Sequence, residues 1–116
     1  MRKNKNSQQT HQLGMCYPNA YRYLMDMDEI EARKAFLVHG TVLMNSGHMK
    51  GARDEHAWIE MGGTVIDPSI NPENPKRVPK DVYYQVGQIN EKELKKYTVS
   101  EMVAQCLVTR HYGPWD

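Results

Sequence analysis

Residues 56–69 read HAWIEMGGTVIDPS, and the fold turns on how that stretch is read. Apolar, aromatic and β-branched residues flank Gly62-Gly63 on both sides, the pattern of an antiparallel hairpin with a two-residue turn. Such a turn pairs Met61 with Thr64, Glu60 with Val65, Ile59 with Ile66 and Trp58 with Asp67. Side chains alternate along each strand, so His56, Trp58 and Glu60 share a face, and Asp67 joins them. His56 becomes the diagonal neighbour of Asp67, with Cβ atoms roughly 7 Å or less apart. That is within reach of a hydrogen bond between imidazole and carboxylate. A turn one residue longer or shorter would put the pair on opposite faces.

Upstream, residues 1–14 are polar and unpatterned and read as an N-terminal arm; residues 15–116 read as one domain. In MCYPNAYRYLMDMDEIEARKAF, Pro18 suits the first turn of a helix, where its missing N–H costs nothing. Tyr17, Ala20, Tyr21, Leu24 and Met27 or Asp28 fall at helical spacing, predicting a helix from about Tyr17 to Asp28. Cys16 lies at or beside its N-cap. A short helical stretch, Asp28 to Lys34, follows, and then a strand over Ala35–Met44 with Gly40 as a bulge.

Asn45–Glu55 has the composition of a loop, and Pro68–Lys80, with four prolines, that of an irregular surface connection. Asp81–Ile89 reads as a strand. A short charged helix and an amphipathic one, with Ser100 as N-cap, complete the chain. In the last helix Met102, Val103, Cys106, Leu107 and Arg110 share a face. The order of helix, strands and helix predicts an α+β domain: an N-terminal helix packed on a small antiparallel sheet, with a C-terminal helix.

Composition narrows the function classes. At 116 residues the chain has room for a single core. With 40% hydrophobic and 25% charged residues it belongs among globular domains. A net charge of +1 argues against nucleic acid or an anionic membrane as partner, and the basic MRKNKN start reads as a frayed tail. No apolar run is long enough to span a bilayer, and the start lacks the apolar stretch of a secretory signal. A cytoplasmic location is therefore expected, with both cysteines, Cys16 and Cys106, reduced. The eight methionines read as adaptable core filling.

A histidine held by an aspartate is fixed in one tautomer, leaving its other nitrogen free to act as a base. Cys16 is placed to be the nucleophile such a base needs. At a helix N-terminus the dipole and unpaired N–H groups favour the thiolate, and a neighbouring imidazolium favours it further. The same N–H groups, starting with that of Cys16, offer donors to an oxyanion. Cys, His and Asp in this order describe a cysteine-nucleophile hydrolase or acyltransferase site.

CYPNAYRYL followed by HAWIEMGGTVIDPS resembles the core of the transglutaminase-like branch of the papain-like cysteine protease superfamily. There, a Cys at a helix start is followed by a His-Ala-Trp strand and a strand ending in Asp-Pro. The resemblance covers the segments around Cys16 and Ala35–Ser69, about half the chain. It implies a minimal papain-like fold, with Cys16 as nucleophile, His56 as general base and acid, and Asp67 as orienter. It also implies a thioester intermediate on Cys16. The substrate would be a protein, a peptide or a small molecule with an amide, isopeptide or ester bond, and no cofactor is needed.

The chain departs from the pattern in two places. Many members have a Trp beside the nucleophile, where Met15 and Tyr17 stand here. Papain-like enzymes complete the oxyanion hole with a glutamine before the Cys, and Gln9 and Gln12 are both candidates. Trp58 reads as core or as a lid over the site, excluding water in either case, and is a candidate substrate-binding residue.

Three further readings are open. The scaffold could serve as a catalytically inactive binding module for a protein partner, since so short a chain has few insertions for building a cleft. His39 and His48 could join His56 and Cys16 around zinc, but they lack compact ligand spacing, so no metal is expected. His111, Tyr112 and Trp115 make an aromatic C-terminus expected to pack on the domain.

Overall fold

The computed structural model describes residues 15–44 and 50–115. It is an α+β domain built on a five-stranded antiparallel sheet. In chain order the elements are α1 (Cys16–Asp26), α2 (Glu29–Ala32), β1 (Ala35–Leu43), β2 (Arg53–Met61), β3 (Thr64–Asp67), β4 (Lys76–Pro79), α3 (Lys80–Val86), a 3₁₀ turn (Glu91–Glu93), β5 (Lys95–Tyr97) and α4 (Val99–Thr109). The strand order is β4-β3-β2-β1-β5. None of the helices described is long and apolar enough to cross a membrane.

The hairpin forms in the expected register, with Ile59 opposite Ile66, Glu60 opposite Val65 and Met61 opposite Thr64. Gly62 makes its turn at φ +63°, a conformation open to glycine at little cost. Alternation then divides the core into two layers. On one face Leu37, Ala57, Ile59 and Ile66 meet Cys16, Tyr17, Ala20 and Leu24 of α1, Met102 of α4 and the C-terminal Trp115. On the other, Val38, Val42, Trp58 and Val65 meet Tyr84 of α3, with Leu94 and Ile89 at the margin. The inner strands β1, β2 and β3 are apolar toward both faces because helices cover both.

Several expectations are corrected. Gly40 is not a bulge: the β1–β2 register runs through it unbroken, pairing it with His56. A Cβ there would collide with Leu94 Cδ2 and lie 3.1 Å from Trp58 Cη2, so any side chain at this position would have to displace Leu94. Part of the proline-rich connection forms β4, an edge strand whose Pro79 occupies its last position, as an edge tolerates. The loop after β1 is shorter than Asn45–Glu55, because β2 begins at Arg53.

Asp81–Ile89 is not a strand; most of it is α3, with Asp81 in the first turn. A strand would send the neighbouring Tyr83 and Tyr84 to opposite faces, whereas a helix lets both pack against Trp58. Lys95–Tyr97 pairs with β1 as a fifth strand, and its exposed lysines suit an edge. The N-cap of α4 is Thr98 rather than Ser100, in a reciprocal capping box with Glu101. Leu107 points outward at 74% exposure, since only the first two turns of α4 rest on the core. The aromatic C-terminus packs on the domain: Trp115 is buried and Tyr112 lies against Tyr21.

Candidate active site

β3 stops at Asp67 and its chain turns away through Pro68 and Ser69. Among the described residues nothing pairs with β2 beyond that point on this side. At this gap the N-terminus of α1, in one layer, meets His56, which alternation assigns to the other. Cys16 is the first residue of α1, after Met15 as N-cap, and its thiol lies close enough to the His56 ring to act on it electrostatically. Asn19, one turn along the same helix face, donates from Nδ2 to the Ser69 carbonyl at 3.1 Å. That bond ties the nucleophile helix to the turn leaving Asp67.

His56 Nε2 lies 3.0 Å from Asp67 Oδ2, which leaves Nδ1 for the sulfur. Asp67 is held further by the Ser69 N–H, which donates to Oδ1 at 3.0 Å, and by the Tyr83 hydroxyl, which donates to Oδ2 at 2.8 Å. Both side chains of the His–Asp pair are 11% exposed and Cys16 is 7% exposed. Burial alone would push His56 down. The hydrogen bonds to Asp67 and then Cys16, with the charges of both, outweigh it and hold His56 well above the usual histidine range. Burial would likewise raise Asp67, but the hydrogen bond and charge of His56, followed by the Ser69 bonds, hold its carboxyl low. Each partner thus favours the charged form of the other, an imidazolium beside a carboxylate.

Helix geometry leaves the Cys16 and Tyr17 N–H groups without intrahelical acceptors, and Pro18 has no N–H; the first helical bond runs from Asn19 N–H to Met15 O at 3.0 Å. Those two donors sit beside the sulfur. Gln9 and Gln12, the candidates for a side-chain donor, lie outside the described residues. Tyr17 is buried. Burial first, then the charges of Cys16, Glu55 and Asp54, raise its pKa.

Trp58 is completely buried and lies near-parallel to His56 with ring centroids 6.2 Å apart. Its indole N–H donates to Glu60 Oε2 at 3.0 Å, so the ring serves as a wall behind His56 and has no donor left for substrate. Glu60 is itself buried, accepting also from the Tyr84 hydroxyl and from Lys96 Nζ at 3.1 Å, with Lys80 Nζ at 3.8 Å. Burial opposes its ionisation, but the bonds from Tyr84, Trp58 and Lys96 prevail and lower its pKa.

His39 is also buried, boxed by Tyr17, Tyr97 and Trp115 at centroid distances of 4.9, 5.3 and 5.1 Å. Among the described residues neither of its ring nitrogens has a hydrogen-bond partner. Among the described residues no group of three or more His, Cys, Asp or Glu is placed to hold a metal, and His48 lies outside them. Cys106, on α4, is half-buried at the margin of the core.

The structure thus brings Cys16, His56 and Asp67 together and sets Trp58 behind them. Sequence reasoning misses Tyr83, because the pattern around it reads as a strand, and Asn19, whose signal is a polar residue on the apolar stripe of α1. Glu60, an acid facing inward beside Trp58, carries a similar signal. Comparison with protein-family models, curated proteins and solved structures found no match for this chain.

Proposed function

We propose that the protein is a cysteine hydrolase or acyltransferase of papain-like, transglutaminase-like type, acting on an amide, isopeptide or ester bond. The observation that carries this reading is His56 held by Asp67 on Nε2 at 3.0 Å with the Cys16 thiol close enough to act on the same ring. In the reaction, the Cys16 proton resides on His56, and the thiolate attacks the substrate carbonyl carbon. Negative charge develops on the carbonyl oxygen, toward which the free N–H groups of Cys16 and Tyr17 are available. Collapse of the tetrahedral species breaks the bond to the amine or alcohol, which leaves with the proton from His56. A thioester remains on Cys16. His56 then takes a proton from water, or from an acceptor amine, as that nucleophile attacks the thioester; the acid or new amide departs and the Cys16–His56 pair is restored. Asp67 stays ionised throughout and fixes the ring.

One observation favours a second reading, an inactive module of the same fold that binds a protein partner: Cys16 is only 7% exposed. Alkylation by iodoacetamide, followed by mass spectrometry in the parent and in His56→Ala, separates the two. An enzyme site alkylates at Cys16 about tenfold or more faster than at Cys106 near neutral pH, and loses that advantage without His56. Burial pushes the Cys106 thiol up, which makes it the slow internal reference. A Cys16 that is inert, or equally reactive in His56→Ala, excludes the enzyme reading.

A further inference from the structure

We propose that Tyr83 is a positioning residue of this site, pinning the one Asp67 oxygen that also receives His56. The proposal rests on the cysteine-nucleophile reading above. Oδ2 of Asp67 accepts from the Tyr83 hydroxyl at 2.8 Å and meets His56 Nε2 at 3.0 Å. Oδ1 accepts only from Ser69 N–H among the bonds described, at 3.0 Å. The torsion about the Asp67 Cβ–Cγ bond is intrinsically soft, and apart from His56 itself the Ser69 bond on Oδ1 is its other restraint. A second donor on Oδ2 closes that freedom and aims the oxygen at the imidazole. Tyr83 is itself held firmly in place. Its ring lies 5.3 Å from that of Trp58, and α3 is joined to the hairpin turn by a bond from Lys80 N–H to Gly63 O at 2.8 Å.

The next residue is a built-in control. Tyr84 stands on the same helix, packs against the same Trp58 at 6.4 Å, and donates to a buried carboxylate, that of Glu60. A purely structural role for the phenols makes the two hydroxyls equivalent. A positioning role makes only Tyr83 felt at His56. The titratable groups acting on His56 are Cys16 from α1 and Asp67 from β3, and Tyr83 from α3 reaches it only through Asp67. Glu60 acts on Tyr83 from further along β2, and Lys80 and Lys96 are directed at Glu60.

The test is an NMR titration of the His56 ring nitrogens in the parent, Tyr83→Phe and Tyr84→Phe, with urea midpoints for all three. In Tyr83→Phe the His56 titration is expected to fall by about one pH unit, a tenfold loss of proton affinity from one weakened charged hydrogen bond. Tyr84→Phe should lower the urea midpoint and leave His56 in place. An unchanged or raised titration in Tyr83→Phe, or an equal shift in both variants, overturns the proposal. The parent alone supplies a second check should Tyr83→Phe fail to fold. Its Tyr83 hydroxyl proton should exchange slowly and show a cross-peak to the His56 proton on Nε2, and absence of that peak also refutes the assignment. Alkylation of Cys16 that does not depend on His56 would instead remove the underlying reading, and this proposal with it.

Discussion

Acidification from pH 7 to pH 4.5 should destabilise the protein through one buried side chain, His39. Its ring is 5% exposed, stacked among Tyr17, Tyr97 and Trp115, with no acceptor for the proton it would carry as a cation. Burial, and then the charge of Lys95, lower its pKa from 6.5 to about 4. A group whose folded value is depressed stabilises the fold fully above its unfolded value and loses that contribution as the pH falls toward the folded one. Over this interval the loss comes to about 2 kcal/mol. With an m-value of about 1–3 kcal/mol per molar urea, the midpoint should drop by about 1–2 M.

The other shifted groups act mainly outside this window and reach it only at its edges, and the comparison with His39→Phe subtracts what they contribute there. His56 is raised, so its contribution is complete below 6.5 and fades only as the pH rises above it. Asp67 and Glu60 are lowered, so theirs is complete above their ordinary values near 4 and is lost only below them. The assay is urea unfolding at both pH values in the parent and in His39→Phe, which keeps an aromatic ring and has no nitrogen to protonate. The variant should retain its stability at pH 7 and show a midpoint much less sensitive to acid. Parallel losses in the two proteins would refute the argument.

Two further outcomes are expected. Gly40→Ala forces a methyl onto Leu94 and Trp58 and should cost about 1–3 kcal/mol, read as a lower urea midpoint; a neutral change would show that Leu94 yields freely. Asp67→Asn keeps an acceptor for Ser69 N–H but turns an amide N–H toward His56 Nε2. The His56 proton then moves to Nδ1, facing the sulfur, so Cys16 alkylation should fall to near the level of His56→Ala, and retained reactivity would argue against Asp67 as orienter.

The chain is most legible where local spacing and the physics coincide. The Gly62-Gly63 turn left one register that buried Ile59 and Ile66, and that register alone made His56 and Asp67 neighbours. The helix behind Cys16 was legible because Pro18 and the stripe through Tyr17, Ala20 and Leu24 agree. Where local signals conflicted with long-range packing, packing prevailed. Val82, Tyr84 and Val86 alternate like a strand, yet α3 exposes both valines and sends its tyrosines to Trp58. Lys76–Pro79 and Lys95–Tyr97 are too short and polar to announce themselves; they are strands because β3 and β1 had open edges to pair.

The sequence by itself determined the hairpin, its register and the placement of a thiol at a helix start, since each depends on residues close along the chain. Tertiary structure decided how Cys16 reaches His56 from the opposite layer, past the end of β3, and which groups hold Asp67. Those contacts join residues far apart in the chain: Asn19 bonds to the Ser69 carbonyl and Tyr83 to Asp67. Tertiary structure also closed the aromatic box around His39. No periodicity encodes such meetings, because they follow from how separate layers pack, and packing is settled only when every element competes for the same core.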